Sequence, residues 1–440
     1  MARDAPKANV SSNATACCVR RTQVYAGGSR GVMHANFDIP IATTAERIPV
    51  VLSPHDRERH IFILGKTGEG KSTMLFNLAM SDIMAGEGVA VIDPHGDLAL
   101  ELLDAVPSSR VNQVCYLDAT DMEWPVGFNP IAGVAPERRA LAAAGIVSAF
   151  KHLWRDSWGP RLEHFLFHGV AALLSSRNSV LTDLARVYTN DAYRERLLRN
   201  VEDPETLRFW HEEYPTYGKS LRSEAVAPIL NKIGQFTASP NVRLILGQAA
   251  PRFDLGVHMK SRRILIVNLA KGLIGESASN LLGSLLVSHL QARAMERALL
   301  PPSERVPYFV HVDEFGNFSS ESFAILLSEA RKFGTHFTLV SQFTAQLSPM
   351  VRAAVIGNVG TLIAFRVGSE DAELLAPEFR PMEDGGLTDQ QAFTAWMRRG
   401  IDRSRIHAAP KQYEPQGKAE TIKQQSRRHF GRDRRTIEER

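Results

Sequence analysis

An apolar run that breaks into spaced glycines, His60 to Thr73 (HIFILGKTGEGKST), constrains this chain more than any other stretch. Ile61, Phe62, Ile63 and Leu64 are β-formers. Gly65 ends the run and opens Gly65-Lys66-Thr67-Gly68-Glu69-Gly70-Lys71-Ser72, a G-x-x-x-x-G-K-S motif. Met74, Leu75, Leu78 and Ala79 then recur at helical spacing. A strand, a glycine loop and a helix in that order form a phosphate cradle. The glycines let successive backbone N–H groups turn toward one anion, and the helix N-terminus adds partial positive charge. Residues 65–72 with Thr73 are therefore expected to hold a nucleoside triphosphate. Lys71 would reach the β- and γ-phosphates and Ser72 would bind Mg²⁺, with ATP and Mg²⁺ the expected cofactors.

The 440 residues suffice for two or three domains' worth of core. The cysteines are Cys17, Cys18 and Cys115, without metal spacing and with an adjacent pair unsuited to an ordinary disulfide, which fits a reducing compartment. No run of 18 apolar residues occurs. The richest stretch, Ile264 to Leu290, is interrupted by Asn268, Lys271 and Glu276, so no transmembrane segment is expected. The first 21 residues lack the apolar stretch of a signal peptide. Charge is uneven: Arg398 to Arg440 is strongly basic, and residues 1–397 are net acidic. Such a tail either touches nucleic acid, an acidic partner or a membrane surface, or is simply solvated.

In chain order, residues 1–45 read as a poorly ordered extension or a short addition to a sheet. Val89–Asp93 and Val114–Asp118 are further apolar runs, each ending in an acid. Strands alternating with helices indicate a mainly parallel α/β sheet. Asp93 and Asp97 either face the ligand edge or cap the next helix. From 136 to 250 apolar residues recur at three and four (Leu162, Phe165, Leu166, Val170), which predicts an inserted all-α domain between sheet segments 46–135 and 251–400, with 401–440 a basic tail. Within the insert, Trp154 and Trp158 read as helix packing, or as an aromatic-basic nucleic-acid contact with Arg155 and Arg161.

The second nucleotide motif is expected at Val306–Glu314, a β-run ending in two acids. Asp313 would hold Mg²⁺ through water, and Glu314 would orient and activate the attacking water. Phe337–Gln342 is another strand, with Gln342 the expected γ-phosphate sensor. Arg331 is either a helix-end cation or an arginine finger reaching a neighbour's nucleotide. Arg366, at the end of Thr361–Arg366, is a second finger candidate. No LSGGQ-like segment occurs, which disfavours a cassette-type transporter.

Taken together, GKTGEGKST, VIDPHGDL (91–98), VDEFGNF (312–318), SEARKFG (328–334), the Gln342 strand and GNVGTLIAFRVG (357–368) resemble the HerA/FtsK superfamily of P-loop motors, and within it the conjugative coupling proteins of type IV secretion. The resemblance runs from about Arg47 to Phe379. It implies a RecA-like P-loop NTPase fold and a hexameric ring that moves DNA, single- or double-stranded, or DNA–protein substrates. It also implies relaxosome or type IV secretion components as partners. The arginine matching SEARKFG is the family's proposed finger, which favours Arg331 over Arg366. Coupling proteins usually carry N-terminal membrane helices, and no such run occurs here. The expectation is a cytoplasmic protein, peripheral at the inner membrane through partners. The alternatives are a secretion ATPase that powers protein export without gripping DNA and a nucleotide-bound docking adaptor.

Overall fold

The structure, a computed structural model, describes residues 40–382 and 386–439. The first 39 residues, most of the expected N-terminal extension, lie outside the described residues. Among the described residues the apolar runs form an 11-stranded sheet. Its strands are β1 (Pro40–Thr44), β2 (Pro49–Val51), β3 (Ile61–Leu64), β4 (Gly88–Asp93), β5 (Val114–Asp118), β6 (Ile264–Asn268), β7 (Tyr308–Val312), β8 (Thr335–Ser341), β9 (Thr361–Ala364), β10 (Thr394–Arg399) and β11 (Asp402–Ala408). The spatial order is β2-β1-β11-β10-β9-β3-β8-β7-β4-β6-β5. From β9 to β5 every neighbouring pair is parallel, and from β9 back to β2 every pair is antiparallel.

Strand alternation divides the apolar residues between two cores, one on each face of the sheet. Phe62, Leu64, Ala90 and Ile92 join one core, with Leu162, Phe165 and Leu166 of the helical block. Ile61, Ile63, Val89 and Val91 join the other, with Met74, Leu75 and Leu78 of the helix Lys71–Met84 and Leu98 and Leu102 of the helix Asp97–Ala105. Both faces being covered explains why these strands read as continuous apolar runs. Between β5 and β6 the chain is helical, from Arg139–Leu153 to Pro240–Leu246.

Residues 401–440 do not hang away from the sheet as a tail. β11 pairs with β1 and β10, and the helix Ala419–Phe430 packs along the edge strand β5. There the Ser426 hydroxyl accepts from Tyr116 N (2.8 Å) and donates to Tyr116 O (3.1 Å), closing an otherwise open edge. The basic end of this helix, Arg427, Arg428 and His429, complements its negative pole, and Arg427 Nε lies 2.6 Å from Asp121 Oδ2. Charge alone does not show this, because Ile422, Ser426 and Phe430 supply a buried stripe between the cations.

At the carboxyl end of the phosphate-binding helix Lys71–Met84 lies a buried ion cluster. Asp82 accepts from Arg57 and, at 3.0 Å, from His311 Nε2. The Asp82 side chain is 1% exposed. Asp82→Ala leaves the Arg57 guanidinium uncompensated in the core. We expect a loss of about 3–5 kcal/mol in unfolding free energy, read by guanidinium titration. A loss below about 1 kcal/mol, the value of an exposed pair, would contradict this.

Candidate functional site

The 65–73 loop leaves β3 and is anchored to both flanking strands. Gly65 N donates to Ser341 O (3.4 Å) and Lys66 N to Arg366 O (2.9 Å). Two glycines here are required by geometry. A Cβ on Gly65 would stand 2.5 Å from Phe365 Cβ, and Gly70 opens the helix with φ 107°. The Lys71 side chain folds back over the loop, with Nζ donating to Lys66 O at 2.7 Å. Burial lowers the Lys71 pKa, while the carboxylates of Asp313, Glu314 and Glu69 pull it the other way.

β8 lies between the loop strand β3 and the acid strand β7, so three strand ends converge on one cavity. It has a volume of 280 Å³ and is lined by Thr67, Gly68, Gly70, Lys71, Ser72, Thr73, His95, Asp313, Glu314, Ser341, Gln342 and Phe393, with Val340 at its wall. The expected Lys71, Ser72, Asp313, Glu314 and Gln342 are thus together. Ser341 Oγ, buried in the same wall, makes no hydrogen bond of its own. A larger cavity of 700 Å³ is lined by other residues, from the helical block and the last helix, and has none of these groups.

Asp313 is nearly enclosed. Burial pushes its carboxyl up to about 6, the nearby Asp93 adds to the rise, and the Glu314 N–H (3.0 Å) opposes it. Asp93 itself is spent on structure: its oxygens accept from His95 N (2.8 Å) and Ala99 N (2.9 Å), capping the helix Asp97–Ala105. Asp97 stands exposed in that helix's first turn.

Glu314 follows β7 with φ 45°, a left-handed turn that aims its side chain across the strand ends. Its Oε1 accepts from His95 Nε2 (2.8 Å) and Gln342 Nε2 (2.8 Å). Its Oε2 accepts from Lys271 Nζ (2.8 Å) and Asn317 Nδ2 (3.0 Å). Burial alone would raise the Glu314 carboxyl, but the Lys271 and His95 contacts outweigh it and bring it down to about 2. His95, Lys271 and Asn317 were not among the residues expected from sequence. The signal that could have found them is positional, since each lies within a few residues of the end of an apolar strand, β4, β6 or β7.

The two arginines separate. Arg366 lies beside the loop and pairs with the buried Glu69 of the motif itself. Arg331 sits exposed in the turn Ala330–Phe333, before the amino end of β8, whereas Gln342 follows its carboxyl end. Seven strand residues put roughly 20 Å between those ends, so Arg331 is not brought to this chain's own site. The tryptophan pair is not on one helix. Trp154 ends the helix Arg139–Leu153 and stacks on Phe150 (centroids 5.4 Å apart), while Trp158 Nε1 donates to Glu163 Oε2 (2.6 Å).

Comparison with known proteins bears on the fold that carries this site. The family model for the central domain of helicase HerA matches residues 39–114. The type 4 coupling protein DotL of Legionella pneumophila is 24% identical over 341 residues, 63% of this chain and 43% of that protein. This chain thus spans less than half of that relative's length. Among solved structures, the bacterial conjugative coupling protein TrwB superposes with a TM-score of 0.61 at 15% identity, covering 87% of this chain and 92% of that one. TrwB has also been solved with ADP and Mg²⁺. VirB4 of Thermoanaerobacter pseudethanolicus gives 0.56 at 15% identity, covering 84% and 96%. No helix among the described residues is long and apolar enough to cross a membrane. The chain thus has the RecA-like P-loop NTPase fold, and in sequence it is similar to the central domain of helicase HerA over residues 39–114 and to a type 4 coupling protein.

Proposed function

We propose that this chain binds and hydrolyses ATP with Mg²⁺ and works as a subunit of a hexameric ring that moves DNA or DNA–protein substrates in type IV secretion. The observation that carries the reading is the contact of Gln342 with Glu314 at 2.8 Å across β8 and β7, in the cavity that the 65–73 loop lines. A triphosphate laid on that loop would have its phosphates on the backbone N–H groups of residues 67–73, beyond the two that anchor the loop, and on Lys71. Its terminal phosphate points at Gln342 and Glu314. The Ser72 hydroxyl and the Asp313 carboxylate are hard oxygen donors of the kind Mg²⁺ takes, and the bound ion would neutralise charge between the β- and γ-phosphates. Glu314 orients the attacking water, with Lys271, His95 and Asn317 holding its carboxylate in place. Gln342 reports the γ-phosphate to β8. Relaxosome or secretion components as partners, and a location peripheral to the inner membrane, belong to the same proposal, supported by the likeness to a type 4 coupling protein and by the fold shared with a conjugative coupling protein.

Arg331 completes a neighbour's site in this account, because it is exposed and stands at the opposite end of β8 from its own. Arg331→Ala should bind ATP and fail to hydrolyse it. Mixing it with Glu314→Gln subunits should restore turnover at those interfaces that pair an intact Glu314 with an intact Arg331. Absence of any rescue, with the ring intact by sedimentation, would assign Arg331 to its own chain or to structure alone. The second reading is an export ATPase that does not grip DNA, and it expects turnover indifferent to DNA.

A further inference from the structure

Phe393 lines the nucleotide cavity although its side belongs to a different part of the sheet. It stands immediately before β10, on the far side of β9 from the acid strand. It is the one phenyl ring among the described residues of the cavity wall, and it remains 54% exposed. Its backbone is in the left-handed region, φ 63°, which a phenylalanine adopts rarely. Two backbone hydrogen bonds hold it there: Ala408 N donates to Phe393 O (2.8 Å), and Thr394 N to Gln391 O (3.1 Å). The ring also covers Gly70, where an added Cβ would lie 3.0 Å from Phe393 Cδ1. An exposed apolar ring held in an unfavourable conformation over the phosphate loop invites a ligand on its open face.

The strand order says which part of a nucleotide meets it. Across the loop strand β3, the γ-phosphate groups Gln342 and Glu314 stand on the β8–β7 side, and Phe393 stands on the β9–β10 side. A triphosphate running along the loop with its terminal phosphate toward Gln342 carries its nucleoside toward Phe393. We infer that Phe393 is the base platform of the site, taking a nucleobase by stacking on its exposed ring. This rests on the nucleotide reading above. Stacking recognises a π-face and needs no edge donor, so it adds affinity for the nucleoside and none for the phosphates.

The experiment titrates Mg-ATP and Mg-tripolyphosphate into the wild-type chain, Phe393→Ala, Phe393→Leu and Lys71→Ala by calorimetry. Phe393→Leu keeps an apolar cover on Gly70 and removes the π-face. Both Phe393 variants should bind ATP about ten- to a hundredfold more weakly and bind tripolyphosphate as the wild type does, whereas Lys71→Ala weakens both ligands. Unchanged ATP affinity in the Phe393 variants, or equal loss for both ligands, would overturn the base platform and leave the phosphate site standing. A wild-type chain that binds neither ligand would overturn the nucleotide reading and this inference with it.

Discussion

Lys71→Ala is expected to weaken ATP binding by about a hundredfold or more and to abolish turnover. The size follows from what surrounds the ammonium group. Lys71 is buried beside Asp313, Glu314 and Glu69, three carboxylates whose charge it faces at the mouth of the loop. Its Nζ is held over the loop by Lys66 O, 2.7 Å away, so it meets the phosphates without a search through rotamers. Removing it loses a charge-assisted bond to the β- and γ-oxygens. It also leaves an incoming polyanion facing acids that no longer have that cation beside them. Calorimetric titration with Mg-ATP reads the effect. Affinity within about threefold of wild type would mean that the loop amides alone carry the phosphates and that Lys71 is dispensable.

Glu314→Gln is expected to keep ATP binding and lower turnover by about 10²- to 10⁴-fold. Binding survives because the phosphates lie on the 65–73 loop, not on this side chain. Turnover falls for two reasons. The carboxylate that accepts from the attacking water is gone. The glutamine NH₂ also cannot face Lys271, an obligate donor, so it must turn toward His95 and Gln342, which then have to change tautomer and flip to accept from it. The cradle as it stands fits an ionised carboxylate. Single-turnover kinetics with bound ATP separate this from a binding defect. Wild-type turnover in the variant would remove Glu314 from the mechanism.

Much of the fold was legible because its signals are local. Ile61–Leu64, Val89–Asp93 and Tyr308–Val312 are buried on both faces, so each reads as an apolar run whichever face a residue takes. The glycine spacing, and the two acids at the end of β7, announce their chemistry from adjacent residues. The cradle of Glu314 was not legible in the same way. His95 and Lys271 lie 219 and 43 residues from it, and only the parallel strand order brings β4 and β6 to β7. The basic C-terminal segment was misleading for a related reason. Its cations are on the surface of a helix whose buried stripe is only Ile422, Ser426 and Phe430, too sparse to stand out against the charge. Arg331 and Arg366 look alike as cations near strand ends. Which end of which strand each occupies is a matter of topology: Arg366 pairs with Glu69 of the phosphate loop, and Arg331 lies before the amino end of β8.

The most direct measurement is ATP turnover of the purified chain with and without single- and double-stranded DNA, at low and at raised salt. Strong stimulation by DNA that fades as salt rises is the expected result, because binding through phosphates releases counterions. Turnover indifferent to DNA, in a protein shown to form rings, would contradict the DNA-motor reading and leave an export ATPase in its place.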